Sequence, residues 1–173
     1  MTKIMTYAKI KKWLDQHEIK NYTIRLDGVV DVDGNVWIPA IIETELPIQF
    51  GTVSGEFFLA YSNNKINSLK GIPQVCGSRF SCCRSAVTSL SGIDKAIKHI
   101  GGQIFCNQGT THLLGLLLIK GVTRICVENG GGTIDKIMNK YIGTGDILSA
   151  QDELIMQGLL IKRDYNVTNT YRN

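Results

Sequence analysis

The chain has 173 residues, 43% of them hydrophobic and 20% charged, with 18 glycines and a net charge of +4. It is long enough for one domain, or for a short repeat array with small flanking elements, and too apolar for a disordered chain. The charge is mild: Lys3, Lys9, Lys11, Lys12 and Lys20 crowd the N-terminus, and the near-neutral remainder lacks the clustered basic face of a nucleic-acid binder.

In chain order, Met1 to Lys12 lacks the apolar run of a secretory signal. Residues 6–19 carry helical periodicity, with Thr6 as N-cap and Tyr7, Ile10, Trp13, Leu14 and His17 on one face. This predicts an N-terminal helical cap over 1–21, with a basic helix docking on nucleic acid as the sharper alternative. Residues 22–26 alternate as a strand, Asp27-Gly28 turns, 29–32 forms a second short strand and Asp33-Gly34 turns again.

From there two phrases recur in phase. The first is polar-x-leucine: Thr44-Glu45-Leu46, Asn67-Ser68-Leu69, Thr88-Ser89-Leu90 and Thr111-His112-Leu113, with the leucines 23, 21 and 23 residues apart. The second is aliphatic-x-glycine: Val32-Asp33-Gly34, Val53-Ser54-Gly55, Val75-Cys76-Gly77 and Ile100-Gly101-Gly102. A period in the low twenties is that of leucine-rich repeats. It predicts an α+β fold, a short leucine-rich-repeat-like β-solenoid of about four units over 22–127. One strand per unit is placed just after each glycine, at 36–38, 57–59, 80–82 and 104–106. Side chains two apart share a face, so Val36, Phe57, Phe80 and Ile104 form one inward row and Ile38, Leu59, Cys82 and Cys106 the next. The four repeat leucines close the core on the return side, and the extra residues 95–100 form a local helical turn.

The residues between the inward rows face outward: Trp37, Phe58, Ser81 and Phe105. Aromatics on an outer face mark an interaction patch unless a flanking element, such as the N-terminal helix, covers them. With Arg79 and Arg84 nearby, the candidate protein-binding residues are Trp37, Phe58, Arg79, Arg84 and Phe105. A one-residue slip at Phe57-Phe58 would exchange the faces.

Leu113 to Ile119 is too dense in apolar residues for an alternating strand and reads as a short buried helix, interrupted by Gly115 and too short to span a bilayer. A strand at 123–127, a flexible turn at 129–132, a helix at 133–141 and a second helix from its N-cap Asp146 to about Leu159 follow. Together they predict a C-terminal helical cap over 128–163 and a polar tail over 164–173.

The five cysteines, Cys76, Cys82, Cys83, Cys106 and Cys126, form no CxxC pair, and an odd count without a signal fits reduced thiols in a cytoplasmic setting. Cys82 and Cys106 fill inward slots as small hydrophobes, and His17, His99 and His112 are too scattered for a metal centre. Gly130-Gly131-Gly132 lacks the spacing and lysine of a phosphate loop, and no GxSxG elbow occurs. No catalytic residue, cofactor or metal site is assigned.

The units Val53-Ser54-Gly55-Glu56-Phe57, Asn67-Ser68-Leu69-Lys70-Gly71-Ile72-Pro73 and Thr88-Ser89-Leu90-Ser91-Gly92-Ile93, with Asp146-Ile147-Leu148-Ser149-Ala150-Gln151-Asp152-Glu153-Leu154, resemble small leucine-rich-repeat-like accessory proteins of tailed bacteriophages and related bacteria. The likeness runs from about Asn21 to Leu160. The chain departs from the pattern in its first copy and at Ile93-Asp94, where Ile-Pro is usual. The extended face of a short solenoid predicts a non-enzymatic binding protein, and the resemblance implies that its partner is a host defence or regulatory protein, modulated or inhibited in the host cytoplasm. Nucleic-acid binding through the basic helix, with Lys70, Arg79 and Arg84 adding charge, is the alternative, and a small-ligand site near the glycine turns, or a cryptic enzyme, is a third. Open sheet edges also permit a homodimer.

Overall fold

The structure is a computed structural model and describes residues 5–38, 41–59, 65–128 and 132–160. The expected turn at 129–131 and the tail at 164–173 lie outside the described residues. Helix α1 (Tyr7–Gln16) comes first, then strands β1 (Tyr22–Ile24), β2 (Val30–Val32), β3 (Val36–Trp37), β4 (Phe50–Val53), β5 (Phe57–Phe58), β6 (Val75–Cys76) and β7 (Phe80–Ser81). Helix α2 (Ile93–Ala96), β8 (His99–Ile100), β9 (Gln103–Cys106), a 3-10 helix (Leu113–Leu118), β10 (Arg124–Val127), α3 (Gly132–Tyr141) and α4 (Ile147–Met156) complete the order.

The strands form two five-stranded sheets, β1-β2-β4-β6-β8 and β3-β5-β7-β9-β10. All pairings are parallel except β1 with β2. The chain is therefore α/β on two mostly parallel sheets. This corrects the α+β leucine-rich-repeat-like solenoid with one strand per unit. The physical reason lies in the aliphatic-x-glycine phrase, read above as a turn signal alone. Its aliphatic residue ends a strand of a whole further sheet: Val32 pairs with Val53, Val53 with Cys76, and Cys76 with Ile100. In the third copy the row member is Cys76, one residue later than the phrase suggested. All four are buried.

The glycines after these strands are required by proximity. A side chain added at Gly77 would strike the carbonyl of Ser54, and one at Gly101 the carbonyl of Gly77. Successive corners between the sheets stack directly, and backbone bonds from Gly55 to Gly34 and from Ser78 to Gly55 join them. Only a residue without Cβ permits that approach.

Between the sheets runs one continuous apolar core. Val36, Phe57, Phe80 and Ile104 form an in-register row with zero exposure, and Ile38, Leu59, Cys82 and Cys106 form a second. Phe57 stacks on Phe80 at 6.1 Å and meets Phe50 edge-on at 5.3 Å. Leu46, Leu90 and Leu113 are buried in the return segments, whereas Leu69 is only partly so.

Helix α1 closes the core at its N-terminal end through Ile10, Trp13 and Leu14, with Trp13 edge-on to Phe50 at 6.5 Å. Tyr7, expected on the apolar face, is instead exposed, and Thr6 makes no side-chain cap hydrogen bond. At the other end α3 contributes Ile137 and Met138, and α4 contributes Ile147, Ala150 and Leu154. The Asp146 carboxylate accepts from the Ser149 amide, as an N-cap does. The expected buried helix at 113–119 is a 3-10 helix, Leu113–Leu118. The local helical turn lies at 93–96, earlier than the expected 95–100, whose last two residues form β8.

The outer edge of β10 is closed by side chains. Asn139 of α3 accepts from the Ile125 amide at 2.9 Å and donates to the Ile125 carbonyl at 2.8 Å, while Asp135 accepts from the Val127 amide at 2.9 Å. They act as a substitute strand and satisfy groups that would otherwise be orphaned. At the opposite edge, the amides of Val36 and Ile38 donate to the carbonyls of Glu56 and Phe58, so the Trp37 amide and carbonyl point away from the sheet.

Candidate interaction face

The two residues flanking each inward residue point to the outer face of the second sheet. The strand register sets Trp37 beside Phe58, Phe58 beside Ser81, Ser81 beside Phe105 and Phe105 beside Cys126. One residue earlier than the inward row stand Asn35, Glu56, Arg79, Gln103 and Arg124. The face is thus an aromatic row beside a polar one, and the faces are not exchanged at Phe57-Phe58.

Trp37 is 55% exposed, and Phe58 and Phe105 are half-buried. Trp37 meets Phe58 edge-on at 6.1 Å, a favoured aromatic geometry. Arg79 lies across the gap in the aromatic row: its guanidinium carbon is 5.8 Å from the Phe58 ring centre and 5.1 Å from that of Phe105. Ser81, the small member of the row, is only 3% exposed. A larger residue there would fill the space that Arg79 crosses. The Arg79 Nε sits 3.8 Å from Glu56 Oε1, close enough for attraction and too far for a hydrogen bond.

The structure therefore brings Trp37, Phe58, Arg79 and Phe105 together. Arg84 is placed further along: it follows β7 at φ 58°, is largely exposed, and its Nε lies 3.3 Å from Glu128 Oε1. Sequence reasoning missed Glu56 and Arg124. Their signal was present, since each stands one residue before an inward residue and shares the parity of Arg79. Helix α1 does not cover the face, because its apolar residues enter the core.

The cysteines nearby are poor nucleophiles. Burial pushes the Cys83 thiol up to about 11 and Cys106 to about 12, and raises Cys82 well above the ordinary range. Arg84 lowers Cys83, but burial outweighs it. Among the described residues no group of three or more His, Cys, Asp or Glu side chains could hold a metal ion, and no helix is long and apolar enough to cross a membrane.

A cleft of about 530 Å³ lies between α1 and the turns at Gly28 and Gly71, lined also by Lys9, Glu45 and Lys70. Lys70 is held by Glu45 at 2.6 Å, and on α1 Lys11 is held by Asp15 at 2.9 Å. Two cations of the nucleic-acid alternative are thus engaged within the chain. Comparison with protein-family models, curated proteins and solved structures gives no match.

Proposed function

We propose that the chain is a non-enzymatic protein-binding module that engages its partner through the outer face of the second sheet. The observation that carries this reading is the ordered aromatic row itself. Trp37 stays 55% exposed while packed edge-on to Phe58, and no described helix lies across it. Rigid aromatics and arginine are the residue types that concentrate binding energy at interfaces. The resemblance to phage accessory proteins supplies the kind of partner, a host protein whose activity is modulated or inhibited.

The same geometry argues against a platform for stacked bases. Such platforms need open ring faces, whereas Arg79 lies between Phe58 and Phe105 and Phe58 meets the ring of Trp37. Glu56 and Glu128 offset two of the three arginines on that side, leaving only a small positive excess.

The test is an affinity capture from bacterial lysate with nuclease present, at low and high salt. The reading expects one stoichiometric protein that survives both and is lost with Trp37→Ala/Phe58→Ala. Recovery of nucleic acid alone, washed off by salt, would overturn it and favour the basic helix.

A further inference from the structure

Arg79 is immobilised without being satisfied. Two aromatic rings hold its guanidinium, yet among the described residues its side chain donates no hydrogen bond. Its Nε is buried without a partner, and its one ion pair, with Glu56, spans 3.8 Å. A guanidinium carries five donors in a planar fork suited to a carboxylate, and an arginine already fixed in position loses little freedom on binding one. The side chain is 40% exposed, so the outer part of the fork is open to a ligand.

Charge on the face points the same way. Arg79, Arg84 and Arg124 stand against Glu56 and Glu128; Glu128 is engaged by Arg84 at 3.3 Å, and Arg124 has no ion pair among the described residues. The excess is positive but small, which suits a segment with a few carboxylates better than a polyphosphate backbone.

We infer that Arg79 anchors a carboxylate side chain of the protein partner, so the docking segment is acidic as well as apolar. Its apolar side chains lie against Trp37 and Phe58, and its carboxylate meets the guanidinium between Phe58 and Phe105. This rests on the protein-binding reading above and specifies the chemistry of the partner.

The test uses two blocked octapeptides, one alternating Asp and Phe and a twin with Asn for every Asp, titrated into the isotope-labelled full chain. The indole N–H signal of Trp37 reports docking, and that of buried Trp13 reports that the fold is intact. The Asp peptide is expected to move the Trp37 signal and bind about tenfold more tightly than its twin, as a charge-assisted bidentate pair would give. Arg79→Gln should abolish that preference, and Arg79→Lys, which keeps charge without the planar fork, should retain only part of it. Equal binding of both peptides at Trp37 would overturn the carboxylate anchor and leave the interaction face standing. A preference that persists in Arg79→Gln would also overturn it, as would a Trp37 signal that neither peptide moves. The lysate capture reads separately whether the face binds protein at all.

Discussion

Phe57 and Phe58 are neighbours in the chain and belong to different parts of the molecule. Phe57 has no exposure, stacks on Phe80 and meets Phe50 edge-on. Phe58, half-buried on the other side of the same strand, touches Trp37 and Arg79. The same division runs along the sheet: the inner rows are apolar and closed in every strand, while the outer rows mix aromatic, charged and small residues. Strand alternation lets one two-residue element fill the core on one side and present the proposed binding face on the other. Substitutions one position apart should therefore fail in different assays.

The sharpest break is expected inside. Phe80→Ala should lower unfolding free energy by about 3–5 kcal/mol, read by denaturant titration, because it opens a cavity in the stacked core. A change in binding with unaltered stability would contradict the division. Gly77→Ala should follow at about 3 kcal/mol, since the new methyl meets the Ser54 carbonyl and the stacked corner has little room to yield. Asn139→Ala should cost about 2 kcal/mol by leaving the Ile125 amide and carbonyl without partners. Amide exchange in β10 should accelerate there before it does in β5. On the outer face, Phe58→Ala should cost only about 1 kcal/mol, the scale of a half-buried ring's aromatic and cation–π contacts, while abolishing capture of the partner.

The cysteines sharpen the comparison through pH. Because burial raises their folded values, the unfolded chain ionises first as pH climbs, so stability should fall from the ordinary thiol range towards about 12, the value of Cys106. Alkylation at pH 8 should accordingly leave Cys82 and Cys106 unmodified in the native protein and reach all five thiols once it is unfolded. Native modification of the inner pair at that pH would contradict their placement.

Much of this division was legible in the sequence, because side-chain period and repeat phase are local properties. The inward rows, the outward aromatics, the Asp146 cap and the helix expected at 133–141 follow from them, whereas the helix expected to run to about Leu159 ends at Met156. The second sheet was not legible. Strands of two residues, such as Val75–Cys76 and His99–Ile100, are too short to alternate visibly, and the glycine behind each reads as a turn. Gly77 is there because of Ser54, more than twenty residues away in sequence, and no local pattern reports that. In the site, Trp37, Phe58 and Phe105 were visible by parity. The placement of Arg79 between two rings was not, since it depends on Phe105, more than twenty residues later, lying beside it.

The most direct measurement compares Trp37→Ala/Phe58→Ala with the unaltered chain in two assays on one preparation: thermal unfolding, and capture of partner from nuclease-treated lysate at high salt. A single cooperative transition lowered by only a few degrees, together with complete loss of the captured protein, is the predicted result. Retained capture with an intact fold would contradict the account, because the exposed aromatic row would then not be the surface that binds.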